Sequence, residues 1–139
     1  MATARNLGIA DAPFIAGQDF STCGQYRFVS AGSVVGEVRL ATGTCNPVPI
    51  GVIQNSPSTG QEATVRVLGY TKLNCEVDGS GSNLAWRNFV YCASDGQGQG
   101  ACITGSPVNA MYMDTGVTSG SVIAQVYLFP FTASFAAAS

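Results

Sequence analysis

The chain has 139 residues and a mass of 14.3 kDa, the size of one domain. Only 10% of its residues are charged, against about 25% in an ordinary soluble domain, and the net charge is −2. The six basic residues, Arg5, Arg27, Arg39, Arg66, Lys72 and Arg87, are scattered, which excludes the basic stripe that binds nucleic acid through its phosphates.

The chain is best taken from its N-terminus. Residues 1–16 show no period of 2 or 3.6, and Pro13 interrupts them. They read as an extended arm and not as a core element, with Phe14 and Ile15 the first residues anchored in a core. A single helical turn is the best helix candidate, over residues 16–23. QYRFVS at 25–30 places Tyr26 and Phe28 on one face of a strand. VVGEVRLA at 34–41 and PIGVIQN at 49–55 follow, and NSPSTG is a dense turn signal. EATVRVLG at 62–69 is the clearest strand, because Ala63, Val65 and Val67 alternate with Glu62, Thr64 and Arg66. Gly69 is expected to interrupt the pairing before YTKLNCEV.

After the flexible DGSGS loop, LAWRNFVYC at 84–92 reads as a strand with Trp86 as a core filler. SDGQGQG is an exposed turn, and ACIT and VNAMYM form a short pair of strands. Met111 and Met113 share one face of theirs, with Tyr112 on the other, and such a stripe in a weakly charged chain suits a contact between subunits. SVIAQVYLF at 121–129 is apolar on both faces and is expected to be a central strand buried on both sides. Residues 131–139 form a C-terminal tail, a short helix or second arm, in which Phe131 and Phe135 fall on one helical face. Strands recurring every 8–14 residues with turns between them predict an all-β domain, a small barrel or sandwich, over residues 17–130.

The chemistry is defined by what is missing. The chain has no histidine, which removes Ser-His-Asp and Cys-His catalysis and the usual general base near neutral pH. There is no phosphate-binding Gly-rich motif followed by a helix pattern. Asp19, Asp78 and Asp95 read as turn formers and not as a carboxylate pair. The five cysteines, Cys23, Cys45, Cys75, Cys92 and Cys102, are odd in number and lack metal-ligand spacing. They read as reduced, mostly buried thiols, and burial of Cys92 in an apolar strand would raise its pKa. No catalytic residue, cofactor or metal is expected. No stretch approaches the roughly 20 apolar residues of a membrane helix, and the N-terminus lacks the apolar run of a signal peptide, so no membrane partner is expected.

AGQDFSTCGQYRFV at 16–29 and PIGVIQNSPSTGQEATVRVLGYTKL at 49–73 resemble segments of tailed-bacteriophage capsid decoration (cement) proteins. TSGSVIAQVYLFP resembles the closing strand of that family, although Ser121 stands where the family has Asp. The resemblance implies a barrel-like subunit made in the host cytoplasm. It would form a homotrimer on the outer surface of the virion and bridge neighbouring major capsid proteins. It further implies that the termini reach those neighbours, which makes Ala2, Arg5, Leu7, Ile9, Pro13, Phe131 and Phe135, with Met111 and Met113, the candidate partner-binding residues. A virion-surface module that binds carbohydrate or host is the alternative, with an aromatic platform around Trp86, Tyr91 or Tyr112.

Overall fold

The computed structural model describes residues 9–22, 24–43, 48–77, 83–100 and 107–134. Among them are nine strands: β1 (Ala10–Ala16), β2 (Phe28–Ala31), β3 (Glu37–Leu40), β4 (Pro49–Ile53), β5 (Glu62–Val77), β6 (Phe89–Cys92), β7 (Gly98–Gln99), β8 (Pro107–Tyr112) and β9 (Gly120–Ser134). They form one hydrogen-bonded sheet in the order β1-β3-β2-β4-β5-β7-β6-β8-β9. Two further pairings, β1–β5 and β5–β9, close that sheet on itself twice. The result is two five-stranded rings that share β5. The all-β class expected from the sequence is the class observed.

β5 serves both rings because its alternation never breaks. Ala63 and Val65 are fully buried in the first core, and Val67 packs against it. Leu73, Cys75 and Val77, on the same parity, enter the second core. The change of partners comes at Gly69. Up to Leu68 the strand pairs with β1 and β4, and from Gly69 onward it pairs with β9. Gly69 has φ +97, a left-handed conformation that side chains disfavour and glycine adopts at little cost. The expected interruption is therefore an exchange of partners within one continuous strand.

β2 and β4 form the wall between the cores. Val29 and Ile53 point into the first core, while their neighbours Phe28 and Val52 point into the second. All four are completely buried. This explains why these short strands read as apolar runs rather than as alternating ones.

The familiar segment at 49–73 is built around this wall. A Cβ on Gly51 would collide with the carbonyl oxygen of Arg66, so only glycine lets β4 approach β5 there. Beyond β4, the Asn55 side chain takes over the ladder: its Nδ2 donates to Glu62 O at 3.0 Å and its Oδ1 accepts from Thr64 N at 3.0 Å. Gln54 donates to Thr71 Oγ1 at 2.8 Å, satisfying a buried hydroxyl. In the other segment, Gln18 Oε1 accepts from Leu40 N, Asp19 closes a turn on Ser21 N, and Phe20 is buried. These motif residues hold the fold.

Four expectations are corrected. Residues 10–16 are not an arm outside the sheet: β1 runs antiparallel to β5 and meets β3 in a short parallel pairing. Phe14 faces the first core, and the Arg66 guanidinium grips Asp11 across the pair, Nε to Oδ1 at 2.8 Å and Nη2 to Oδ2 at 3.2 Å. Second, the 84–92 segment is a strand only from Phe89; Arg87 adopts φ +71 and breaks the run, leaving Trp86 59% exposed on a turn. Third, β9 is buried on one face only, with Ala124, Val126 and Leu128 inward and Ile123 exposed. Fourth, β9 continues to Ser134, so residues 131–134 are strand and not helix. Where a single helical turn was expected, residues 17–18 bend and Gly24 N donates to Phe20 O at 3.2 Å, one isolated turn, and no helix occurs among the described residues. The ACIT segment, the DGSGS loop, Asp78, and Cys23, Cys45 and Cys102 lie outside the described residues.

Gly51→Ala tests the shared wall. The added methyl forces β4 away from β5 and lowers the unfolding free energy by about 1–3 kcal/mol in urea titrations. An unchanged midpoint would show that the two strands are free to separate.

Candidate functional site

The outer face of the second ring carries an ordered apolar row. Register fixes it: Phe89 of β6 lies opposite Met111 of β8, Met111 opposite Tyr127 of β9, and Tyr127 opposite Tyr70 of β5. Four strands thus place four large side chains in one line across the sheet. Tyr70 and Tyr127 meet edge to face, with ring centroids 5.1 Å apart and planes at 65°, the geometry that aromatic quadrupoles favour. Phe89 and Tyr70, at the two ends, are each 44% exposed, and Met111 and Tyr127 between them are half-buried.

The next rows on this face continue the pattern with little charge. Lys72 lies opposite Gln125, and Met113 donates its N–H to Gln125 O at 2.9 Å, which places Met113 at the end of that row. Ile123 lies opposite Asn74 one step further on and is exposed. Trp86 sits in the turn closed by Asn88 N donating to Ala85 O, immediately before Phe89. The row of aromatic and Met side chains is thus flanked by the polar Lys72–Gln125 pair, beyond which Ile123 is exposed, and an exposed apolar row of this kind suits a protein contact face.

Met111 and Met113 therefore occupy the face expected of them, opposite the fully buried Tyr112. Ile9 and Pro13 are exposed on the outer side of the first ring, where Ile9, Asp11, Pro13 and Ile15 alternate with Ala10, Ala12 and Phe14. Phe131 lies on β9. Ala2, Arg5, Leu7 and Phe135 fall outside the described residues. Of the three residues named as the centre of an aromatic platform, Trp86 is exposed and the other two are not. Tyr91 is buried, and Tyr112 is enclosed with its hydroxyl donating to Thr115 O at 2.7 Å. The row itself was missed in the sequence because it depends on cross-strand register, which no local pattern encodes.

The polar groups have structural partners. Asp95 accepts from Gln97 N, and Asp114 accepts from Gln125 N and Thr115 N, which hold its carboxyl below the usual range. Among the described residues no group of three or more metal-ligating side chains converges. Cys75 and Cys92 are buried free thiols, and burial pushes both up to about 12. An open polar cleft of about 490 Å³ lies beside Tyr26, Arg27, Asn74 and Ile123. Tyr26 takes φ +62 there, held by its N–H on Ile53 O and by Asn74 N on its carbonyl. Arg27 Nε is buried without a hydrogen-bond partner.

No protein-family model and no curated protein matches this sequence. Among solved structures, the chain is similar to the N base of head fiber gp8.5 in bacteriophage phi29. The TM-score is 0.58 with 14% sequence identity, over 91% of this chain and 99% of that one. The likeness is one of fold. It spans nearly the whole of both chains, so both rings belong to it and not one alone.

The two buried thiols give a chemical test. In the native protein at about pH 8, iodoacetamide leaves the peptides carrying Cys75 and Cys92 unmodified, and denaturant exposes both to full labelling. Because the native thiols keep their protons up to about pH 12, whereas unfolded ones lose theirs above about 8.5, stability declines as pH rises through that window. Rapid native labelling of either peptide, followed by mass spectrometry, would contradict this placement.

Proposed function

We propose that this protein is a structural component of a tailed-phage head, bound to the outside of the shell, where it clamps neighbouring major capsid subunits. The observation that carries the reading is the near full-length likeness in fold to a phage head-fiber base. The resemblance of residues 16–29 and 49–73 to capsid decoration proteins points the same way. The chain acts by contact and not by catalysis. Its low charge and the Phe89–Met111–Tyr127–Tyr70 row supply a face suited to burial against another protein.

A homotrimer fits this role. Several subunits linked together gain avidity through effective concentration, so each individual contact with the shell can be modest. Glycan binding is the second reading, and the cleft beside Tyr26 favours it, because a buried Arg27 donor there lacks a partner.

The purified chain is expected to sediment as a trimer and to bind expanded heads that lack it, raising the temperature at which those heads release DNA. Replacing both ends of the row, Tyr70→Ser with Phe89→Ser, lowers that binding by roughly tenfold or more while the isolated protein keeps its far-UV spectrum. Full binding by the double variant would remove the row from the contact. Failure of the wild-type chain to bind heads, together with capture by a glycan array, would favour the second reading.

A further inference from the structure

Val35 is 102% exposed and Val34 is 61% exposed, the two most exposed large hydrophobic residues among those described. They stand side by side on the turn between β2 and β3. Glu37 N donates to Val34 O at 3.1 Å and closes a four-residue turn whose third residue, Gly36, has φ +85. That is the signature of a type II turn, with Val35 at the outermost position. The turn is fixed from both sides. Gly32 N donates to Glu37 O at 2.7 Å, and Ile15 N of β1 donates to Gly36 O at 2.8 Å.

Nothing within the fold calls for valine at these positions. Val35 contributes no packing and Val34 keeps most of its surface in solvent, and polar residues would satisfy the turn equally well. What the sequence specifies instead is a rigid tip tipped with two aliphatic groups. Ile15, 47% exposed on the adjacent strand, adds a third. Gly32, Ser33 and Gly36 complete the turn without a charge, and Glu37 is half-buried against Arg39 Nε at 3.3 Å. A short, braced, bare apolar projection is preorganised and loses little freedom on docking.

Its place in the fold decides what it meets. Ile15 is in register with both Glu37 and Glu62, so the tip lies at the level where β5 begins. Tyr70, the near end of the aromatic row, lies eight residues further along β5, about 26 Å of strand. The tip is thus a contact separate from the row. Three aliphatic side chains fall far short of the roughly 800 Å² per partner that a stable interface buries, so the tip does not hold two copies together alone. The turn itself carries no Lys or Arg to engage anionic headgroups, Arg39 beside it being paired with Glu37, and it has no amphipathic face to lie on a bilayer. A small convex apolar knob fits a concave apolar socket on a protein already held elsewhere.

We infer that the Val34–Val35 turn is a second anchor, seated in an apolar socket on the protein shell of the head. The inference rests on the head-binding reading above and adds to it the point of attachment. The test measures binding of the full chain to heads that lack it, for the wild type, for Val34→Ser with Val35→Ser, and for Val34→Ile with Val35→Ile. Both pairs alter exposed side chains; an unchanged thermal midpoint confirms that they fold, and a serine pair that sediments as a smaller species than the wild type would overturn the shell socket in favour of a second copy. The serine pair is expected to weaken binding by roughly ten- to a hundredfold, and the isoleucine pair to retain it. Equal binding by wild type and serine pair would overturn the anchor while leaving the head-binding reading intact. Absence of wild-type binding would overturn both. Valine-dependent binding to phosphatidylcholine vesicles would overturn the protein socket in favour of a lipid surface.

Discussion

The structure depends on one strand belonging to two closed sheets. β5 contributes one face of side chains to both cores, and its left-handed residue at Gly69 lets it leave one ring and enter the other without losing its hydrogen bonds. Arg66 braces this bend. Its guanidinium holds Asp11 on β1 and also donates from Nη1 to Tyr70 O at 3.0 Å, spanning the residue where the partners change. Because β2 and β4 bury both of their faces, neither core can be disturbed without the other. The two rings are therefore packed through a common wall and a common strand.

A shared wall of this kind suits the proposed clamping role, in which a protein that bridges neighbouring subunits transmits load between its contacts. The apolar row on the second ring and the valine tip on the first are displayed at different levels of β5. Each is small, and both lie on surfaces with few charges. The hydrophobic fraction of the chain is ordinary while its charged fraction is low, and under the proposed role that low charge suits surfaces covered by another protein.

Much of the local structure was legible in the sequence. The alternation of Ala63, Val65 and Val67 gave the first half of β5, and Asp95 marked a turn, but the stretch expected to be an exposed turn buries Gly96, Gln97 and Gly98 and forms β7. Ring closure was not legible, because a period of 2 says which face is buried but not which strand lies beside it. Trp86 was misassigned because apolar residues at 84–92 fit a strand until Arg87 takes a positive φ, which its side chain gives no sign of. Ile123 was misassigned because an exposed apolar residue within an apolar run looks the same in sequence as a buried one. Val34 and Val35 fell into the same error, although Gly36 two residues on is the signal that a type II turn carries them outward. In each of these cases the misread residue is an exposed apolar side chain.

Electron cryomicroscopy of heads saturated with the protein tests the central claim most directly. The account predicts density outside the shell across the boundary between neighbouring capsid subunits, with the aromatic row against one shell surface and the valine tip against another. Density confined to a single capsid subunit, or none on the outer surface, would contradict it.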